Sequence, residues 1–158
     1  MTPEDISTSV EISRDYFNRS TRSLLEEHSN FAPAPGTFTA AAQVAHAAQT
    51  IDWFFAGAFA PAGFDLDFER MDKAVRGCTS LEAARKWFNE ATDRAKATAA
   101  ARTAEEWEAP IPPGPIMGGL HRHAIVSALT DHTAHHRGAL TVYARLLGLV
   151  PPMPYMDM

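Results

Sequence analysis

The chain has one cysteine, Cys78, so it can form no internal disulfide, and its thiol usage fits a reducing compartment. No apolar run approaches the ~20 residues that a membrane span needs. The start, MTPEDISTSVE, lacks the basic and apolar regions of a secretory signal, so the expected setting is the cytoplasm. Positive charge is also scarce. Lys and Arg number 14 against 19 Asp and Glu, for a net charge of −5, and no basic stripe stands out, so nucleic acid is not an expected partner. There is no phosphate-cradling glycine loop, internal repeat, heptad run or low-complexity tract. Strand-like alternation occurs at Phe64-Asp-Leu-Asp-Phe68, with no second strand to pair with it.

What is present favours helix. The chain of 158 residues contains 28 alanines, 46% hydrophobic residues and 21% charged residues, enough for one globular domain spanning 1–158. A first helix is expected from Pro3 to about Ser29, with Thr2 as cap and Glu4 and Asp5 at its positive end. A second runs from about Phe38 to Phe59, starting after Thr37 or Thr39. The connection 61–80 reads as an extended crossover whose Phe64, Leu66 and Phe68 pack on the bundle. It is long enough to let the second and third helices run parallel. Thr79-Ser-Leu-Glu82 resembles a capping box for a third helix, Leu81 to about Arg102. Thr103-Ala-Glu-Glu106 is a second cap, for a short turn carrying Trp107, and the proline-rich 109–115 is a stiff loop. A fourth helix is expected from about Gly118 to Leu147, stopped by Gly148, Pro151 and Pro152. The apolar tail is expected to fold back on the domain or to pack on a second subunit. Four helices without a sheet predict an all-α four-helix bundle.

Within the fourth helix, Thr130-Asp131-His132-Thr133-Ala134-His135-His136-Arg137-Gly138 holds three of the seven histidines. His132 and His136 are four apart and share one helix face, as a pair of metal ligands does. Their neighbours on that face, Ile125, Leu129, Leu140 and Tyr143, are largely apolar, where uncompensated imidazoles are costly. His46 sits in a comparable setting on the second helix. Packed helices lie ~8–10 Å apart, so one histidine from a neighbouring helix can complete a trio. Three imidazoles leave positions open for water or substrate, and imidazole suits zinc, nickel, copper or iron(II), among which the sequence does not choose. The expected ion is zinc or nickel, with iron or manganese as alternatives. His135 points about 100° away from the pair and is expected outside the site. His121, three turns before His132, is expected on the same face, lining the cleft. His123 and His28 are expected at the surface. Arg137 is expected to face away and pair with an acid such as Asp131 or Asp52.

His-x3-His-Arg-Gly on the last long helix, one histidine early in the second, the ending Leu-Thr-Val-Tyr-Ala-Arg-Leu-Leu-Gly148 and the tail Pro-Pro-Met-Pro-Tyr155 together resemble the DinB family. The resemblance covers nearly the whole chain. It implies an up-down-down-up four-helix bundle and a divalent metal site on His46, His132 and His136. It also implies a relation to thiol-dependent S-transferases and assembly as a homodimer. The family pattern has Gln after His-Arg-Gly where this chain has Ala139.

The implied activity is metal-dependent transfer of a low-molecular-weight thiol to a small electrophile. Tyr143 is a candidate to hydrogen-bond substrate, against the alternative of a core tyrosine with a satisfied hydroxyl. Other readings are a metal-dependent hydrolase using Asp52 or Glu90 as base, a stress-related binding protein without turnover, or a metal that only pins two helices.

Overall fold

The computed structural model describes residues 1–156. Its helices are α1 (Pro3–Thr21), α2 (Ala40–Phe59), α3 (Phe68–Arg76), α4 (Leu81–Ala100), α5 (Ala104–Glu108) and α6 (Ala124–Leu146), with a 3₁₀ turn at Glu26–His28. The four long ones, α1, α2, α4 and α6, pack in a ring in which α1 touches α4 and α6, and α2 touches the same two. Cross-helix pairs fix the directions. Arg14 meets Asp93 and Asn18 meets Asn89, so α1 and α4 are antiparallel. Asp52 meets Trp87 and Arg94, while Phe59 and Arg102 share a groove farther on, so α2 and α4 are parallel. Phe38 meets Tyr143 and Ala58 meets Arg122, so α2 and α6 are antiparallel. The order is therefore up-down-down-up, as expected, and the core lies along the common axis. Residues such as Ile6, Phe17, Val44, Phe88, Leu129 and Leu140 are almost entirely buried there.

Local chemistry sets most boundaries where they were expected. Thr2 and Asp5 cap α1 reciprocally, Thr39 accepts the Ala42 N–H at the start of α2, and Thr103 with Glu106 closes the start of α5. Trp107 on α5 is fully buried, edge-on to Phe55 and Phe59. Gly148 takes φ +77° and lets the Leu149 N–H reach back to the Ala144 carbonyl, which ends α6. For α4 the capping side chain is Ser80, not Thr79.

Four expectations need correction. Helix α1 stops at Thr21 rather than near Ser29. The Arg85 guanidinium, reaching from α4, donates to the Thr21 and Leu24 carbonyls at 2.7 and 3.1 Å, so acceptors at the helix end are served across the bundle. This turns Leu24 into the core and leaves Leu25 outside. The crossover is not extended throughout, because Asp67 accepts the Arg70 N–H and starts α3 within it. Of its three apolar residues Phe64 is buried, while Leu66 and Phe68 are 48% and 54% exposed. Finally, the last helix begins at Ala124, not Gly118. The backbone N–H groups of Gly119, Arg122 and His123 donate to the carbonyls of Ile111, Ala109 and Trp107, so this stretch is tied to the proline-rich loop and cannot supply helical bonds. The tail folds back on the bundle. Arg19 donates to the Pro154 carbonyl, and the Tyr155 ring stands edge-on to Tyr16 at 5.1 Å.

Candidate metal centre

Helix α2 carries His46 in its second turn, and α6 carries His132 and His136 near its middle. Around His46, Ala42, Ala45, Ala47 and Ala48 are all 0–1% exposed. Side chains this small let α6 approach closely, and the three imidazoles meet in the gap. His132 Nε2 lies 3.2 Å from His46 Nε2 and 3.0 Å from His136 Nε2. Two nitrogens on one ion at ~2.0–2.1 Å are separated by roughly 2.9 Å at right angles and 3.4 Å at the tetrahedral angle. The two observed spacings fall inside that span, so the trio could hold a metal ion.

Electrostatics keep the donors ready. Burial, followed by the charge of neighbouring imidazoles, holds His136 down to about 3 and His132 down to about 4. Burial also lowers His46, against the opposing pull of Asp72. All three rings are neutral near pH 7, the form a metal ligand requires.

One participant escaped the sequence reading. The side-chain amide of Gln43 lies 2.8 Å from His136 Nδ1 and is itself buried. The structure sets the amide nitrogen there, donating to Nδ1. Turning the amide over, with its oxygen to the ring, would let Gln43 accept the Nδ1 proton and leave the Nε2 lone pair directed at the other two imidazoles, as a bound metal requires. The signal was available: Gln43 stands three residues before His46, on the same face of α2.

The other expected residues are sorted by the tertiary structure. His135 is exposed, outside the trio although its ring touches that of His136 at 4.9 Å. His121 is not on the α6 face. It lies beside Glu108, stacked on His123 at 5.5 Å, and with them forms a second, mostly exposed group of ligand-type atoms. His28 accepts the Leu25 N–H. Arg137 lies over the rings of Tyr16 and Tyr155 at 5.6 and 5.9 Å instead of pairing with Asp131 or Asp52. Asp52 accepts from Arg94 and from the Trp87 indole, and Glu90 lies 3.8 Å from Lys86, so both candidate bases face α4 surroundings and not the trio. The Tyr143 hydroxyl donates to the Phe38 carbonyl at 2.9 Å, and its ring packs against Phe31.

Beside the trio opens a cavity of about 310 Å³, walled by Phe38, Trp53, Phe54, Phe68 and Met71 and bordered by His46 and His132. An antiparallel and parallel four-helix ring, with convergent neutral imidazoles from facing helices next to an open cavity, defines a helical-bundle protein with a candidate metal centre. The DinB superfamily model matches residues 9–140, and the chain belongs to that family. The fold is also similar to the crystal structure of a DinB-like protein, YjoA, from Bacillus subtilis. The two share 18% identity at a TM-score of 0.70, over 98% of this chain and 99% of that one. A comparison with curated proteins finds no match.

Proposed function

We propose that the protein holds a divalent metal ion, zinc or nickel, on His46, His132 and His136, and uses it in thiol transfer to a small molecule seated in the adjacent cavity. The observation that carries this reading is the meeting of three neutral imidazole nitrogens at the edge of that cavity. A divalent ion bound there lowers the pKa of a coordinated thiol and so supports the thiolate, the nucleophilic form. The chain's own groups do the rest. Gln43 orients His136, burial keeps protons off the rings, and the aromatic walls exclude water from one side. Thiol transfer is favoured over hydrolysis because hydrolysis calls for a free base beside the ion. Asp72, the carboxylate bordering the cavity, is paired with Arg76 at 2.8 Å, and Asp52 and Glu90 lie elsewhere.

Elemental analysis tests the centre. His132→Ala should remove most bound metal, while His135→Ala, one residue from a ligand, should keep it. Equal metal in both variants would place the ion elsewhere. Incubation of metal-loaded protein with bacillithiol, mycothiol or glutathione and an electrophile such as a haloalkane then tests the reaction. Metal-dependent consumption of a thiol supports it. Its absence with all three, in protein that retains its ion, leaves a ligand-binding metal protein without turnover.

A further inference from the structure

We infer that the cavity beside the histidine trio is selective for a compact apolar molecule that carries a hydrogen-bond donor or a positive charge, and that it rejects carboxylates and phosphates. This rests on the metal-centre reading above and narrows it to a ligand class.

The argument starts from which groups face the space and how their protons are already used. The walls are aromatic rings and a thioether, from Phe38, Trp53, Phe54, Phe68 and Met71. Apolar contact with these walls is the main source of affinity for any occupant. No Lys or Arg borders the cavity among the described residues. The nearest guanidinium, Arg76, is occupied at the rim. It stacks on Phe38 at 4.6 Å and donates to Asp72 at 2.8 Å. Away from His46 and His132, the polar groups that border the cavity have turned donors to backbone carbonyls, leaving one N–H of the Gln49 amide. Thr50 Oγ1 donates to His46, Trp53 Nε1 to Asp65, and the Gln49 amide to Met71. Thr50, Gln49 and the Asp72 carboxylate therefore present mainly acceptor lone pairs to an occupant.

Away from the open positions of the ion, which a thiol would fill, this lining acts against an anion. A carboxylate brought here would lose water, meet acceptors instead of donors and approach Asp72. A neutral or cationic occupant meets the opposite conditions, since a cation is attracted by aromatic faces and by the carboxylate. Size points the same way. At ~30 Å³ per water, the cavity of about 310 Å³ holds roughly ten waters, the bulk of a substituted ring. In a two-substrate transfer this cavity therefore accommodates the apolar partner, or an apolar thiol, and leaves an acidic thiol to approach from outside it.

The test uses three ring-matched probes with the full chain: phenylmethanethiol, its para-aminomethyl derivative and its para-carboxy derivative. Calorimetry gives affinity for metal-loaded and metal-free protein, and elemental analysis of the same samples reports separately on the metal centre. The neutral and cationic probes should bind at least tenfold more tightly than the carboxylate. Asp72→Asn, which also releases Arg76, should shrink or reverse the charge preference while keeping the affinity for the neutral probe. Phe68→Ala, on an exposed residue whose loss leaves the core intact, should weaken all three. A carboxylate that binds as well as or better than the other two, or a charge preference unchanged in Asp72→Asn, overturns the inference. So does the absence of binding by every probe in protein that carries its metal. Protein that takes up no metal and still ranks the probes by charge upholds the cavity assignment and refutes the metal reading.

Discussion

At the scale of the residue, the site depends on where single protons sit. Gln43 meets His136 at Nδ1, and which end of its amide faces the ring sets which nitrogen of His136 is free. Gln43→Ala should lower metal affinity by about 10–100-fold, the range for lost outer-shell partners, with an unchanged far-ultraviolet circular dichroism spectrum. Unaltered affinity would remove the amide from the account. The histidines also make a stability prediction for metal-free protein. Their folded pKa values lie below the ordinary ~6.5, near 4 for His132 and 3 for His136, so below pH 6.5 the unfolded chain takes up protons that the folded one refuses. Their contribution is intact above pH 6.5 and is lost progressively as pH falls toward 3. Denaturant midpoints of the apoprotein should decline across that window, and more shallowly in His136→Ala. Metal affinity should fall over the same range because protons compete for the ring nitrogens.

Within the elements, two glycines show how one substitution can have opposite signs. Gly57 in α2 lies under Phe64. A Cβ there would stand 2.3 Å from a ring carbon, so the glycine is what allows the crossover to seat Phe64 in the core. Gly138 in α6, part of the His-Arg-Gly motif, has nothing within 4 Å of the corresponding position. Gly57→Ala should cost about 1–3 kcal/mol through overpacking, whereas Gly138→Ala should add roughly 0.5–1 kcal/mol through helix propensity and keep the metal content. Thermal melts of the two variants measure both signs. The same scale explains which boundaries could be read in advance. The Thr2, Thr39 and Thr103 caps and the Gly148 stop are chemistry between residues a few positions apart. The end of α1 and the start of α6 are not. One depends on Arg85, 64 positions from Thr21, and the other on backbone bonds to 107–111.

For the whole molecule, an ion on His46, His132 and His136 would tie α2 to α6, two elements that only the folded chain brings together. Metal at a hundredfold excess over its dissociation constant should therefore stabilise the fold by about 2.7 kcal/mol, a rise in Tm of roughly 5–10 °C for a chain of this size. A chelator should reverse the rise, and His46→Ala should abolish it. Among the described residues no helix is long and apolar enough to cross a membrane.

The sequence by itself determined the helical class, the parallel pair across a long crossover, and the pairing of His132 with His136. Each of these is set by periodicity, spacing or local capping. It also singled out His46, through its position on an alanine-rich face and through likeness to a family. Only the tertiary structure decided the rest. It removed His121 from the cleft, because residues before Ala124 spend their backbone donors on a distant loop. It placed Gln43 on His136, engaged the Tyr143 hydroxyl with Phe38 and kept Asp52 on the α4 side. The physical reason is common to all of them. Hydrogen-bond partners and close packing join positions far apart in the chain, and no periodicity along the sequence encodes that distance.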